Sequence, residues 1–314
     1  YDDGRKSNLY YYCTGTQKGD DLMRIPRILL AAGASGSGKT LITCGLLQAL
    51  VNRNLTVASF KCGPDYIDPM FHSRVIGAKS ANLDTFFTSP EVTRYLLSEN
   101  AANCEIAVME GVMGYYDGVA GTTTQASAYD LASVTDTPVI LIVNSKGMSV
   151  SLAAYIKGFA EYRKDSHIKG VILNQMSPML YPRMKELLEK ETGLSVLGYV
   201  PKVEDCVIES RHLGLVLPDE IPQLRERLQK LAKILEDTLE IDEILKLAAD
   251  ASEVQAAEPQ ISFHLDKRYE SVLLRMKHFV FIIRIISGFL KRWEQSWYLF
   301  HQCMMHIFRM ICRD

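Results

Sequence analysis

The residues best placed to do chemistry lie in three short stretches. The first reads Gly33-Ala34-Ser35-Gly36-Ser37-Gly38-Lys39-Thr40, a G-x-x-x-x-G-K-T spacing. Glycines at these positions let successive backbone N–H groups turn inward around an anion, the lysine reaches its outer oxygens, and the hydroxyl that follows can hold Mg²⁺. Gly33, Ser35, Gly36, Ser37, Gly38, Lys39 and Thr40 are therefore expected to bind the phosphates of a nucleotide. The second stretch, Lys61-Cys62-Gly63-Pro64-Asp65-Tyr66-Ile67-Asp68-Pro69, offers one lysine and two carboxylates between prolines. The third, Glu110-Gly111-Val112-Met113-Gly114-Tyr115-Tyr116-Asp117-Gly118, offers two more carboxylates among glycines. A lysine beside the phosphates can neutralise charge on a moving phosphoryl group, and carboxylates can hold Mg²⁺ between nucleotide and protein. Lys39, Lys61, Asp65 and Glu110 form the expected catalytic set, with Thr40, Asp65 and Glu110 as the expected metal ligands. A lone acidic loop residue is ordinarily a solvated turn. Here the acidic residues each follow an apolar run, which favours a shared site.

Those runs identify the elements that must position the site. Ile28–Ala32 reads as a buried strand before the glycine loop and Leu41–Leu50 as the helix behind it, the context that the motif requires. Further strands are expected at Thr56–Phe60, Glu105–Met109, Val139–Val143, Lys169–Leu173 and Ser195–Pro201, with helices over Pro90–Asn100, Ser149–Phe159 and Met184–Glu191. This alternation predicts an α/β fold of the P-loop NTPase type, a mostly parallel sheet with helices on both faces. Ligands bind beyond the carboxyl ends of such strands, so all three stretches should meet along one edge. The prolines make the Lys61–Pro69 segment an expected non-helical loop, and Ile221–Ala249 is expected to supply one or two closing helices.

Composition narrows the class. With 35 basic and 37 acidic residues and a net charge of −2, the chain lacks the electrostatic footprint of a nucleic-acid or membrane-surface protein. Apolar residues at 47% are enough for a sizeable core. Seven cysteines, Cys13, Cys44, Cys62, Cys104, Cys206, Cys303 and Cys312, are scattered without C-x-x-C pairs, as expected of reduced thiols in a cytoplasmic protein. Tyr1–Asp21 is polar and mixed in charge, unlike a signal peptide. The apolar run Phe279–Leu290 is interrupted by Arg284 and too short for a bilayer.

The phosphate loop, the Phe60–Pro69 stretch with Phe71-His72 behind it, Asn82-Leu83-Asp84, Glu110–Gly118 and Arg211-His212-Leu213-Gly214-Leu215 together resemble the cobyrinic acid a,c-diamide synthases, over about Met23–Ala249. The resemblance implies a dethiobiotin synthetase-like fold and an ATP- and Mg²⁺-dependent amidation. The c and then the a acetate side chain of a corrin macrocycle would be phosphorylated, and ammonia would displace phosphate from each acyl phosphate. It further implies that Asn174 and Pro201 contact the adenine end of ATP, and that Tyr66, Asp68, His72, Tyr115, Asp117 and Lys146 face the macrocycle; for His72 simple packing is an equal alternative. The motifs leave other tetrapyrroles open, hydrogenobyrinic acid or nickel-sirohydrochlorin among them, and a homodimer is compatible with them. A partition-type ATPase would carry a second lysine early in the phosphate loop, where Ala34 and Ser35 stand here. Dethiobiotin synthetase itself has a smaller substrate than the Gly63–Pro69 loop suggests.

The expected organisation is a disordered or non-native extension over 1–22, an ATP-binding amidoligase domain over 23–249, a linker over 250–271 and an aberrant tail over 272–314. The family implies a glutaminase domain with a cysteine in a glycine-rich elbow. Cys303, in His301-Gln302-Cys303-Met304-Met305, has no such glycine. Codons for Val272–Asp314 can be chosen so that the neighbouring frame spells a stretch similar to the opening of a glutaminase domain. A frameshifted remnant, with ammonia in place of glutamine as the nitrogen source, is the resulting expectation.

Overall fold

The computed structural model describes residues 22–65, 67–203 and 224–258. Tyr66, the Arg211–Leu215 motif, residues 1–21 of the extension expected over 1–22 and the expected tail over 272–314 lie outside them, whereas Leu22 is in a strand.

Strands β2 (Arg27–Ala32), β3 (Val57–Cys62), β4 (Lys79–Leu83), β5 (Ile106–Glu110), β6 (Val139–Asn144), β7 (Ile168–Asn174) and β8 (Ser195–Val200) form one sheet in the order β4-β3-β5-β2-β6-β7-β8. Every pairing in it is parallel. Strands covered on both faces read as unbroken apolar runs, and β2, β3 and β5 are buried along their whole length. Helix α1 (Lys39–Asn52) packs on one face of the sheet with α7 (Leu224–Thr238) and α8 (Ile241–Ala249), over Ile28, Leu30, Ile140 and Ile172. Helices α3 (Pro90–Ala101) and α4 (Ala128–Thr135) pack together, as do α5 (Ser151–Tyr162) and α6 (Tyr181–Thr192). Ser89 and Ser127 cap α3 and α4 by accepting from Val92 N and Asp130 N, each satisfying an otherwise unpaired first-turn amide.

The expectation that the second loop is non-helical is corrected. Ile67–Phe71 is helical (α2) and runs into a π-helical turn over His72–Ile76. Pro69 sits in the first turn, where its missing N–H has no intrahelical partner to lose, and Asp65 Oδ1 caps the start by accepting from Ile67 N at 2.8 Å and Asp68 N at 3.4 Å. Edge strand β4 escapes the sequence pattern because Lys79-Ser80-Ala81-Asn82-Leu83 is largely polar.

The segment from 250 to 258, placed by composition in a linker, packs onto the domain. Val254–Gln255 (β9) pairs antiparallel with Leu22–Met23 (β1), and Ala251 and Val254 are buried. Arg27 holds it there. Its guanidinium, 0% exposed, donates to Ser252 O at 2.8 Å, to Ile25 O at 2.9 Å, to Thr135 O at 2.8 Å and to Asp136 O at 3.0 Å. Burial brings its pKa down to about 10, against the pull of Asp136, and the carbonyl end of α4 suits the positive charge.

Candidate functional site

The glycine loop leaves β2 and enters α1 at Lys39. Gly38 adopts φ 96° and ψ 14°, a left-handed conformation that glycine reaches without a Cβ clash, and no side chain caps the helix. The amino end of α1, with its unpaired N–H groups and partial positive charge, is thus open to an anion. Gly33 is closely approached instead: a Cβ there would lie 1.8 Å from the Tyr155 hydroxyl of α5, which would have to swing aside. Asn174, at the end of β7, donates from Nδ2 to Ser37 O at 2.9 Å and so fixes the far side of the loop, while Pro201 lies half-buried just beyond β8.

The Glu110–Gly118 loop is locked to this cradle. Tyr115 N donates to Ala32 O at 2.8 Å, and a Cβ on Gly114 would meet Gly33 O at 2.8 Å. Lys39 Nζ donates to Ala34 O at 3.2 Å and to Met113 O, whose residue holds a positive φ of 45°. Asp117 Oδ2 accepts from Gly114 N at 3.1 Å, folding its carboxylate back over the loop.

Glu110 is the meeting point. Fully buried at the end of β5, it accepts through Oε1 from the Thr40 hydroxyl at 2.6 Å and from Lys61 Nζ at 2.8 Å. The strand register requires the latter contact, because Lys61 and Glu110 are direct partners across β3 and β5. Lys61 also pairs with Asp68 Oδ2 at 2.6 Å. Burial alone would lower the Lys61 pKa, yet the charges of Glu110 and Asp68 raise it above the ordinary lysine range. Lys39 goes the other way: burial lowers its pKa, with Lys61 adding to the effect and Glu110 opposing it.

Asp65 and Asp68 therefore differ in placement. Asp68 joins the Lys61 pair, whereas Asp65 caps α2 and has its pKa raised by burial and by Asp68. Asn82 pins this bend by donating to Gly63 O at 2.7 Å and to Asp65 O. His72 and Tyr115, expected to face a substrate, are both 0% exposed and packed. His72 Nδ1 lies 2.6 Å from Ser59 Oγ, its Nε2 is 3.6 Å from Cys44 Sγ, and burial depresses its pKa to about 4, leaving it neutral. Tyr115 donates to Ser166 O at 2.5 Å and packs against Tyr116 and Tyr129. Lys146 is exposed, just past the carboxyl end of β6.

Sequence reading gave Ser59 and Tyr155 no part in the site and took Met113 as pocket wall, whereas its carbonyl accepts from Lys39. Ser59 was within reach, since it precedes Lys61 by two residues and so shares its face of β3. Met113 and Tyr155 act through a carbonyl and a close approach, which residue type does not announce.

Glu110 Oε2 is buried without a hydrogen-bond partner among the described residues. The Glu110 carboxylate and the Thr40 hydroxyl hydrogen-bonded to it are hard oxygen donors of the kind a divalent cation takes beside phosphates. The residues present thus fit Mg²⁺.

A family model described as the CobQ/CobB/MinD/ParA nucleotide binding domain matches residues 28–215. The cobyrinate a,c-diamide synthase of Thermoplasma volcanium is 36% identical over 275 residues, covering 87% of this chain and 57% of that protein. The synthase of the same name from Clostridium acetobutylicum is 40% identical over 228 residues, covering 72% and 52%. That of Thermoplasma acidophilum is 42% identical over 205 residues, covering 65% and 46%. The chain spans about half the length of the curated relatives it matches.

Proposed function

Because the chain belongs to the CobQ/CobB/MinD/ParA nucleotide binding domain family, we propose that it carries out the ATP-dependent step of a cobyrinate a,c-diamide synthase. The observation that carries this reading is the interlock of the glycine cradle with the Glu110–Gly118 loop. Thr40, Glu110 and Lys61 form one hydrogen-bonded chain, and Lys39 touches the backbone of both loops. A nucleotide and a second substrate beyond the strand ends would thus share one rim. The names of the relatives, cobyrinate a,c-diamide synthases, support a corrinoid acid as that second substrate.

The Gly33–Thr40 backbone binds the phosphates, and Lys39 exchanges its carbonyl partners for their outer oxygens. Thr40 and Glu110 hold Mg²⁺, which when bound supplies charge neutralisation across the phosphates. Lys61 orients Glu110. It commits two of its three donors to carboxylates, so its first effect is on them. Asp65, as the cap of α2, keeps the bend that carries Asp68 in place. Asp117 and Lys146 stand where the macrocycle would lie, and Asn174 and Pro201 border the base. An acetate oxygen of the macrocycle attacks the γ-phosphorus and ADP leaves. Ammonia then attacks the acyl carbon, losing a proton, and phosphate leaves. A carboxylate is a poor electrophile, and its acyl phosphate provides the missing leaving group. Positioning and charge neutralisation are the main demands on the protein.

The test is incubation of the chain with ATP, Mg²⁺, an ammonium salt and cobyrinic acid, followed by mass spectrometry. Replacement of each carboxylate OH by NH₂ lowers the mass by about one unit, and Lys39→Ala and Glu110→Gln abolish the change while Cys303→Ala keeps it. ATP turnover with no amide formed from any tetrapyrrole acid refutes the reading.

A further inference from the structure

The turn after β4 holds two large apolar rings in water. Phe86 is 57% and Phe87 66% exposed, their centroids lie 5.0 Å apart, and their planes meet at 89°. An exposed phenylalanine forgoes roughly 1.5–3 kcal/mol of burial, so a pair kept out by a rigid turn calls for a use. The turn is rigidly held. Asp84 Oδ1 accepts from Phe86 N at 2.8 Å, Asp84 O accepts from Thr88 N at 3.1 Å and from Thr88 Oγ1 at 2.7 Å, and Thr88 Oγ1 lies 2.7 Å from Thr93 Oγ1.

Its position connects it to the site. On one side Leu83 O accepts from Gly63 N at 3.0 Å, at the root of the bend that carries Asp65 and Asp68. On the other, Thr85 donates to Asp130 Oδ2 at 2.8 Å, which also accepts from Ala126 N in the segment that follows Asp117. The aromatic turn therefore ties the two acidic bends together at the carboxyl edge of the sheet. Thr85-Phe86-Phe87-Thr88-Ser89 carries no charge, which suits the apolar face of a ring whose rim bears carboxylates.

Resting on the function proposed above, the geometry points to the Phe86–Phe87 pair as the platform for the tetrapyrrole macrocycle. The perpendicular rings form a corner: one supplies a floor for a flat apolar face and the other a wall for its edge. The acidic bends and the cradle then set which acetate reaches the γ-phosphate. The pair is a specificity and positioning device and takes no part in bond making.

The experiment measures cobyrinic acid binding to the full chain by equilibrium dialysis, read from the absorbance of the corrin, alongside ATP binding. Phe86→Ser/Phe87→Ser weakens corrinoid binding by roughly tenfold to a hundredfold, leaves ATP affinity within about twofold, and Phe86→Tyr/Phe87→Tyr restores binding. Unchanged circular dichroism and ATP affinity show that the double serine variant is folded. Wild-type corrinoid affinity in that variant overturns the inference while leaving the proposed function standing. A change of sedimentation coefficient with corrinoid affinity intact overturns it in favour of self-association. Failure of the wild-type chain to bind any tetrapyrrole acid overturns both.

Discussion

Replacing Lys61 by methionine tests the centre of the site. Its ammonium, on a residue only 7% exposed, lies 2.8 Å from Glu110 Oε1 and 2.6 Å from Asp68 Oδ2. At an effective dielectric constant of about 20, each contact is worth roughly 6 kcal/mol of gross attraction, much of which offsets the cost of removing three charges from water. Methionine fills nearly the same volume and leaves two carboxylates facing each other without a cation. The net loss expected is about 3–5 kcal/mol, the range for breaking a buried ion pair from one side. It should depend on pH with a definite sign. In the variant a proton must do what the ammonium did, so the folded state takes up more protons than the unfolded chain and acid favours folding. The deficit against wild type is therefore largest near pH 8 and narrows toward pH 5.5. Urea denaturation at both values, followed by circular dichroism, measures it. Adding Glu110→Gln to Lys61→Met should recover a large part of the loss, since the two residues touch and cannot be additive. A deficit below about 1 kcal/mol at pH 8, or one equal at both pH values, refutes the buried triad.

Two further perturbations test the surroundings of the site. His72, held near a pKa of about 4 against 6.5 for the free side chain, stays neutral in the fold while the unfolded chain takes up a proton. Its contribution is present in full above pH 6.5 and is lost as pH falls toward 4. The window corresponds to about 3 kcal/mol, so wild type should lose that much more stability than His72→Asn between pH 7 and 4; parallel curves would show His72 to be solvated. Arg27→Met removes the guanidinium that donates to the carbonyls of Thr135, Asp136 and Ser252, and should cost about 3–5 kcal/mol. Hydrogen exchange should speed at Val254 and Gln255 before the sheet opens, and unchanged protection there would mean that β9 does not depend on the clamp.

The sequence alone determined the parts of this protein governed by neighbours along the chain. An apolar run, a glycine loop and a helix at fixed spacing can hardly close in any other way, so β2, the phosphate cradle and α1 were legible, as were the apolar strands and helices α3, α5 and α6, whereas α4 was not anticipated. Strand alternation then implied that Lys39, Glu110 and the Lys61 bend share one edge, and the structure places them there. Only the tertiary structure decided which way each polar side chain turns. Asp65 and Asp68 look equivalent in sequence, yet one caps a helix and the other pairs with Lys61, because Pro69 falls in a first turn. His72 and Tyr115 carry groups that suit a ligand, yet Ser59 and Ser166 occupy those groups inside. Strand β4 has no apolar pattern of its own and exists because β3 offers it a ladder. The physical reason is one of range. Backbone choice follows from residues a few positions away, whereas the direction and charge state of a polar group follow from partners brought close by the packing of distant segments, which no local pattern encodes.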